Sequence, residues 1–278
     1  MIVAPITSCS INGSKDGTLM PQTARRYGLY LLDALLLLAI FHWLHSSASH
    51  LLNPSNSKPA LQVSSDKTAN TPIEQKTAAT DLLGIDVSHY QGNVDWEEVS
   101  DDFHFAFIKA TEGTEYTDPD FIQNMNNVDD TDMAYGAYHF YSPDEDGLEQ
   151  ARHFINATQN IKFTLPPVLD VEVAPDDDVS NFQQAIKSWL VYVENTMGCR
   201  PIIYSDKNFW DEYLKEAFSH YTVWISDYSD EASDVASINW AFWQFTDQGK
   251  AEGVSGFVDQ SRFKGSEQSL LALGDCQI

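Results

Sequence analysis

The sequence is poor in basic residues. Its 278 residues contain 16 Lys and Arg against 41 Asp and Glu, which gives a formal net charge of −25. From Asp81 onward the imbalance is sharper, with 37 acidic and 10 basic residues. A field of this sign repels phosphate backbones and anionic lipid headgroups, so we expect no nucleic-acid partner. Most of these charges are expected on a solvated surface.

Cysteine is also scarce, and metal-binding or phosphate-binding motifs are missing. The three cysteines are Cys9, Cys199 and Cys276. They are too few for a disulfide scaffold, and none has the CxxC or Cys/His spacing of a zinc site. No HExxH sequence, EF-hand loop or glycine-rich phosphate loop occurs, so we predict no metal and no cofactor. An exported domain could pair Cys199 with Cys276, and two free thiols are the alternative.

A long apolar run occurs near the N-terminus. Residues 27–44, YGLYLLDALLLLAIFHWL, contain one charge, Asp33, and just reach the length that spans a bilayer. Arg25-Arg26 on its N-terminal side predicts a cytoplasmic N-terminus and an exported remainder. We interpret the run as a membrane anchor because it is longer than the core of a usual signal peptide. Ser46-Ser47-Ala48 offers a cleavage site, so a signal peptide is the alternative.

The chain therefore divides into four regions. Residues 1–28 form a tail that we expect in the cytoplasm, and residues 29–44 form the transmembrane anchor or signal segment. Residues 45–80 are rich in Ser, Thr, Asn, Ala, Pro, Lys and Gln, a composition typical of a flexible linker. Residues 81–278 form the folded domain. We expect that domain in the periplasm or outside the cell, either anchored to the membrane or secreted after cleavage.

Strand and helix patterns alternate along the folded domain. Helical periodicity occurs at residues 148–159, 181–198 and 207–218. Eight runs read as strands: 82–90, 103–111, 133–141, 165–173, 200–206, 221–228, 240–247 and 253–260. Helices between the early strands and short final connections predict a modified (β/α) barrel, the TIM-like class of α/β fold, in one domain. A doubly wound open sheet is the alternative, and the missing glycine-rich loop disfavours it.

Acidic residues stand at the ends of predicted strands, where barrel enzymes place their chemistry. They are Asp86, Asp259 and the pair Asp170 and Glu172 in the apolar run LPPVLDVEVA. Residues i and i+2 of a strand share a face, so the pair points into the barrel mouth. Two close carboxyls in a partly apolar site ionise unequally, which is the basis of glycoside hydrolysis. The spacing leaves open a retaining or an inverting outcome, and taken alone a D-x-E triplet fits a salt bridge or cap better.

Aromatic residues on or beside the strand ends could stack on sugar rings, although core packing is the ordinary role of each one. The candidates are Tyr138, Tyr204, Trp224, Tyr228, Trp243 and Phe245. His89 and His139 are candidate site histidines. A lone histidine is more often structural, so we assign neither as a catalytic base.

Six segments, in order, are similar to glycoside hydrolase family 25, the Chalaropsis-type lysozymes (N-acetylmuramidases). They are GIDVSHYQGNVDW (84–96), FAFIKATEGTEYTDPDF (105–121), YGAYHFYSP (135–143), LPPVLDVE (165–172), PIIYS (201–205) and FWQFTDQGKAEGVSGFVDQSRF (242–263). The resemblance implies a (β/α)5(β)3 barrel. It also implies cleavage of the β-1,4 bond from N-acetylmuramic acid to N-acetylglucosamine in peptidoglycan.

The resemblance also implies roles for individual residues. Glu172 resembles the general acid, and Asp170 the carboxylate that stabilises the oxocarbenium-like centre or orients the 2-acetamido group. Asp86 and Asp259 match two further acids of the cleft, and Tyr138 matches a cleft tyrosine. Two segments depart from the family pattern. WISDY (224–228) occupies the position where the family commonly has WxAxY, and Ser261 replaces an Asn. We expect activity to survive both changes.

We predict a monomeric, membrane-tethered or secreted muramidase that acts on peptidoglycan glycan strands. One alternative is a catalytically silent barrel that only binds glycan, which the presence of all four acids disfavours. Another is an endoglycosidase of a different family acting on N-acetylated glycans. A chitinase-like enzyme would carry a longer acidic series, D-x-x-D-x-D-x-E, and VLDVE holds only its last two acids.

Overall fold

The computed structural model describes residues 82–176, 178–229 and 235–274. The predicted tail, apolar segment and linker at residues 1–80 lie outside these ranges. Within them, no helix is long and apolar enough to cross a membrane. The strands of the described domain are β1 Leu82–Val87, β2 Phe105–Glu112, β3 Tyr116–Thr117, β4 Ala134–Phe140, β5 Val168–Asp170, β6 Ile202–Asp206, β7 Thr222–Ser226, β8 Trp240–Gly249 and β9 Val258–Phe263.

Eight of these strands close into a barrel. The order is β1-β9-β8-β7-β6-β5-β4-β2, and parallel pairing of β1 with β2 completes the ring. The two-residue strand β3 pairs with β2 outside it. Within the ring, β1, β2, β4, β5, β6, β7 and β8 run parallel to one another, whereas β9 is antiparallel to both β8 and β1.

Five helical segments connect the six successive parallel strands β1, β2, β4, β5, β6 and β7. They are α1 Trp96–Ser100, α2 Phe121–Asp129, α3 Gly147–Thr158, α4 Val179–Met197 and α5, which comprises Lys207–Phe209, a π-helical turn Trp210–Leu214 and Lys215–Phe218. A further helix, α6 Glu267–Leu271, follows the barrel. Five βα units followed by three strands confirm the predicted (β/α)5(β)3 barrel. The sequence periodicity had indicated α3, α4 and α5 but not the short helices α1 and α2.

The boundaries of α4 follow from local chemistry. The Asp178 side chain accepts a hydrogen bond from the Ser180 backbone N–H and so caps the first turn. Gly198 ends the helix in the left-handed conformation, with φ of 64°, which glycine adopts without steric cost. The side chains that face the barrel are buried: Phe182, Ile186, Trp189, Leu190 and Val193. Cys199, which follows, is also buried and is disulfide-bonded, so the bonded alternative holds for this cysteine.

Alternate residues of each strand point into or out of the barrel. Phe105 and Phe107 of β2 point inward, and both meet Phe242 edge-on with ring centroids 5.2 and 5.4 Å away. Gly84 leaves room for these packed rings, because a Cβ at position 84 would lie 2.3 Å from the Phe105 ring. Ala106 and Ile108 point outward to the helices. Side chains therefore fill the barrel interior near the end where the parallel strands begin. Its chemistry is confined to the end where the parallel strands finish.

Two predicted strands have different bounds in the structure. The run 165–173 contains only the three-residue strand β5, and Val173, the last residue of the run, is 40% exposed. The run 253–260 begins as a loop in which Gly253 and Gly256 adopt φ of 83° and 91°. The strand β9 therefore starts later, at Val258, and extends to Phe263.

His139 is a structural residue on the outer face of β4. Its ring is fully buried, stacks on Trp189 at 5.6 Å, and lies 2.8 Å from Thr111 Oγ1 and 3.1 Å from Gln150 Oε1. With one nitrogen accepting from the Thr111 hydroxyl and the other donating to Gln150, the ring is satisfied in its neutral form. Burial lowers the pKa of His139 to about 3.

This burial predicts an acid-dependent loss of stability. An unfolded histidine takes up a proton near its ordinary pKa of about 6.5, and the folded chain does so only near pH 3. Stability attributable to His139 is thus complete above pH 6.5 and is lost between the two values, at about 1.4 kcal/mol per pH unit. Denaturant unfolding between about pH 7 and pH 4.5 should show a smaller loss in His139→Gln than in wild type. Equal losses would contradict this assignment, whatever the absolute stability of the variant.

Candidate active site

A cavity of ≈ 320 Å³ opens at the end of the barrel where the parallel strands finish. All four predicted acids line it. Asp86 lies near the end of β1, Asp170 ends β5, and Glu172 follows β5. Asp259 is the second residue of β9 and not, as predicted, at its end. It still reaches the cavity, because β9 is antiparallel and its first residues lie beside the last residues of β1.

Asp170 and Glu172 form a coupled pair of carboxyls. Asp170 is 6% exposed, whereas Glu172 is accessible from the open cleft. Burial and the charge of Glu172 raise the pKa of Asp170 well above its ordinary value. The pKa of Glu172 is also raised, by loss of solvation and then by the charge of Asp206, although its hydrogen bond with Asp170 opposes this. The pair therefore retains a shared proton under conditions where isolated carboxyls are ionised.

Asp86 and Asp259 form a second acidic pair. The two residues are direct cross-strand partners on β1 and β9. Burial and the charge of Asp259 raise the pKa of Asp86 well above its ordinary value. Burial and the charge of Asp247 raise the pKa of Asp259 to about 6. Four carboxyls are thus concentrated in one cleft, and each has a raised pKa.

The structure brings four of the predicted aromatic residues to the cavity wall and leaves two elsewhere. Tyr138, Tyr204, Trp224 and Tyr228 line the cavity. Trp224 and Tyr204 are nearly buried and meet at 4.6 Å, whereas Tyr228 is 49% exposed.

Trp243 and Phe245 lie outside the cavity lining. Trp243 belongs to the outer layer of the barrel, because it follows the inward-facing Phe242 and therefore points away. Its indole N–H donates to the Asp227 carbonyl, and Phe245 packs edge-on against it. The structure gives these two residues packing contacts, and it does not bring them together with the other four aromatics.

Gln244 is a site residue in addition to those predicted from the sequence. Its Oε1 accepts hydrogen bonds from the Tyr204 and Tyr228 hydroxyls at 2.8 and 2.7 Å. Its Nε2 donates to Asp86 Oδ2 at 2.9 Å. The two tyrosine donors fix the orientation of the amide, so its N–H must face Asp86. Strand parity with Phe242, two positions earlier, is the sequence signal that could have identified it.

Lys109 was also missed, although it alternates with Phe105 and Phe107 on β2. It is the one basic residue among the described residues that line the cavity. Its ammonium donates to Glu112 at 2.7 Å and lies 4.9 Å from the Phe140 ring centroid. The charge of Lys109 lowers the pKa of both Asp170 and Glu172, against the larger effect of burial. No group of three or more potential metal ligands occurs in the described residues.

The departure at Ser261 has a structural role. The Ser261 hydroxyl is fully buried and accepts a hydrogen bond from the Trp224 indole N–H at 3.0 Å. Serine is shorter than asparagine but still supplies an oxygen to this donor. The position of Trp224 on the cavity wall is therefore maintained.

Comparison with known proteins agrees with this architecture. The sequence profile described as Glycosyl hydrolases family 25 matches residues 85–254, more than half of the chain. The chain belongs to this family. The uncharacterized protein YegX of Escherichia coli is 35% identical to this family 25 chain over 204 residues, 71% of the chain and 75% of YegX. Lysozyme M1 of Streptomyces globisporus is 34% identical over 212 residues, 70% of the chain and 71% of the relative.

The solved structure of a family 25 glycosyl hydrolase from Bacillus anthracis has the same fold. It matches with a TM-score of 0.65 and 33% sequence identity, covering 70% of this chain and 94% of that chain. The family 25 resemblance of the six sequence segments is thereby confirmed. The protein is a glycoside hydrolase, and the four-carboxyl cleft is its candidate active site.

Gln244 allows a first test of this family 25 cleft. Gln244→Leu should lower kcat/KM on peptidoglycan by about tenfold or more, because Asp86 loses a donor and two tyrosine hydroxyls lose their acceptor. Losing that donor should also raise the pKa of Asp86 further, so the pH–rate profile should shift to higher pH. Gln123→Leu, an exposed change on α2, is the control. A pH–rate profile equal to that of wild type would remove Gln244 from the site.

Proposed function

We propose that this protein is a peptidoglycan muramidase that hydrolyses the β-1,4 bond between N-acetylmuramic acid and N-acetylglucosamine. The coupled Asp170–Glu172 pair at the mouth of a family 25 barrel carries the proposal. Lysozyme M1, a relative over 70% of the chain, bears the name of an enzyme of this class. The acidic cleft favours a substrate that presents uncharged sugar hydroxyls and N-acetyl groups to it.

Glu172 is the general acid in this proposal. It is accessible from the cleft, whereas Asp170 is buried beneath it, so Glu172 is the carboxyl that a glycosidic oxygen can reach. Burial raises the pKa of both carboxyls, so the pair shares one proton in the free enzyme. A substrate that stabilises ionised Asp170 moves this proton to Glu172. Glu172 then transfers it to the leaving oxygen as the glycosidic bond breaks.

Asp170 receives the substrate's 2-acetamido group in this proposal. Its Oδ1 is buried and accepts no hydrogen bond within the described protein. A buried acceptor of this kind is stabilised by a donor that arrives with the ligand. The N–H of the acetamido group is such a donor, and its carbonyl oxygen is then directed at the anomeric carbon, the substrate-assisted variant of glycoside hydrolysis. Asp86 and Asp259 bind the sugar hydroxyls beside it.

The proposed site of action is outside the cytoplasm, where peptidoglycan is found. Residues 29–44 would hold the enzyme in the membrane, or cleavage near Ala48 would release it. The disulfide-bonded Cys199 supports an oxidising compartment. N-terminal sequencing of the mature protein distinguishes the anchored form from the secreted form.

Product analysis tests the proposed reaction. The full-length protein is incubated with purified sacculi, and the soluble fragments are reduced with borohydride and identified by mass spectrometry. A muramidase yields fragments ending in reduced N-acetylmuramic acid. Reduced N-acetylglucosamine at the new ends would indicate a glucosaminidase, and no release above a buffer control would indicate a barrel that only binds glycan.

A further inference from the structure

The cleft continues into an exposed aromatic surface that the catalytic roles above do not use. Ser88, Tyr90 and Gln91 line the cavity beyond the acids. The Tyr90 side chain is 81% exposed, although it borders a site that is otherwise well packed. Tyr116 of β3, 39% exposed, stands beside it across the His89 ring. We use the name "aromatic shelf" for Tyr90, His89 and Tyr116.

The aromatic shelf is held in place despite its exposure. His89–Gln91 form a 3-10 turn in which the Ser88 hydroxyl accepts a hydrogen bond from the Tyr90 backbone N–H, and the Gln91 side chain accepts from the Ser88 backbone N–H in return. The Tyr90 ring lies 4.1 Å from the His89 ring. A solvent-exposed ring that is fixed in this way loses little conformational freedom when a ligand covers it.

A buried carboxylate fixes the two sides of the shelf to each other. Asp118 is 3% exposed, and its Oδ2 accepts from the His89 backbone N–H at 3.1 Å and lies 2.8 Å from His89 Nδ1. The Tyr116 hydroxyl lies 3.1 Å from the same ring nitrogen. On the far side, His153 Nε2 donates to the Tyr116 carbonyl at 3.0 Å. The arrangement joins the turn after β1 to the hairpin after β2 as one surface.

The charge around the shelf selects among ligands. Burial and the neighbouring acids Asp118, Glu112 and Asp120 raise the pKa of Tyr116. Lys109, whose ammonium lies 5.7 Å from the Tyr116 ring centroid, is paired with Glu112, so acids outnumber bases beside the shelf. This excess of acids repels anionic lipid headgroups and phosphates. An uncharged sugar ring, apolar on its C–H face and polar at its edge, matches an aromatic face with hydroxyl and imidazole groups beside it.

We propose that the aromatic shelf is an additional glycan subsite in which Tyr90 stacks on an N-acetylhexosamine outside the pair of sugars that is cleaved. This inference rests on the proposed function, because the occupant is the continuation of the strand bound in the cleft. The shelf borders the cavity without a break, and a polymer that threads the cavity must leave it across its rim. The subsite therefore makes the enzyme prefer long glycan strands to short oligosaccharides.

Chain-length dependence tests the subsite. Peptide-free glycan strands are prepared from sacculi with an amidase and separated by length. Tyr90→Ala should raise KM for long strands by about fivefold, leave kcat unchanged, and have no effect on the shortest oligosaccharide that is cleaved. Tyr90→Phe should behave as wild type, since the ring is kept. Tyr192→Ala on α4, away from the cleft, is the control for removal of a tyrosine ring. A Tyr90→Ala variant that retains the wild-type preference for long strands overturns the proposal.

A binding measurement separates failure of the subsite from failure of the proposed reaction. Long peptide-free strands are titrated calorimetrically into Glu172→Gln and into Glu172→Gln/Tyr90→Ala. The second protein should bind about fivefold more weakly. Equal dissociation constants exclude the shelf as a glycan subsite even if wild type is an active muramidase. Conversely, weaker binding by the double variant supports the glycan subsite even if wild type releases no fragments.

Discussion

Glu172→Gln is expected to lower peptidoglycan hydrolysis by about a thousandfold, because the leaving oxygen loses its proton donor. The fold should be unchanged, since Glu172 is accessible from the cleft and glutamine keeps its shape. Reducing ends released from sacculi are measured over time, with thermal unfolding as the check on structure. The matched control is Glu97→Gln on the exposed side of α1, which should retain the wild-type rate.

A second substrate distinguishes a proton donor from a residue that merely shapes the cleft. An activated aryl glycoside has a leaving group that departs without a proton. Glu172→Gln should therefore hydrolyse it at nearly the wild-type rate, while sacculi remain almost uncleaved. Equal losses on both substrates would assign Glu172 a role other than general acid, and an unchanged rate on sacculi would remove it from the reaction.

Asp170→Asn has the second large expected effect, a loss of about a hundredfold in kcat. Asparagine leaves no negative charge to attract the acetamido N–H or to stabilise positive charge near the anomeric carbon. The proton that Asp170 shares with Glu172 is also removed, so the pH–rate profile should change shape. Asp101→Asn, on the surface after α1, is the control. A kcat equal to that of wild type would exclude Asp170 from the mechanism.

The same substitution should stabilise the protein at neutral pH. Because the folded-state pKa of Asp170 is raised, the aspartate costs stability. The cost begins above the ordinary aspartate pKa of about 4, where the unfolded chain ionises, and is complete above the folded-state pKa, whereas asparagine cannot ionise. Asp170→Asn is thus expected to raise Tm by about 3 °C near pH 7.5. The gain should diminish on acidification and disappear near pH 4, where aspartate is protonated in the unfolded chain as well. A lower Tm at pH 7.5 would contradict this prediction and show that the folded protein stabilises ionised Asp170.

The barrel class followed from the sequence because its signals are local. Inward Phe105 and Phe107 alternate with outward residues on β2, and Gly198 ends α4 where the helical period stops. The reversed direction of β9 has no such local signal, so Asp259 was expected at the wrong end of its strand. Its correct placement depends on a pairing with β1 that forms only when the barrel closes.

The candidate site could be predicted where a carboxyl interrupts an apolar run, as at Asp170. Prediction failed where neighbouring residues were chemically alike. Phe242 and Trp243 are adjacent and apolar, and the sequence does not specify which one fills the barrel interior. The opposite choice of register would have placed Trp243 inward and would have excluded Gln244, whose three hydrogen bonds at the site became visible only in the structure.

Closure of the barrel also sets when the acidic cleft is completed. Asp170 and Glu172 belong to the middle of the domain, but Asp259 enters the cleft on the last strand to leave the ribosome. That strand pairs with the first one, the most distant pairing in the barrel and the kind that forms slowly. A chain interrupted during synthesis before β9 therefore carries Asp170 and Glu172 without the completed four-carboxyl cleft.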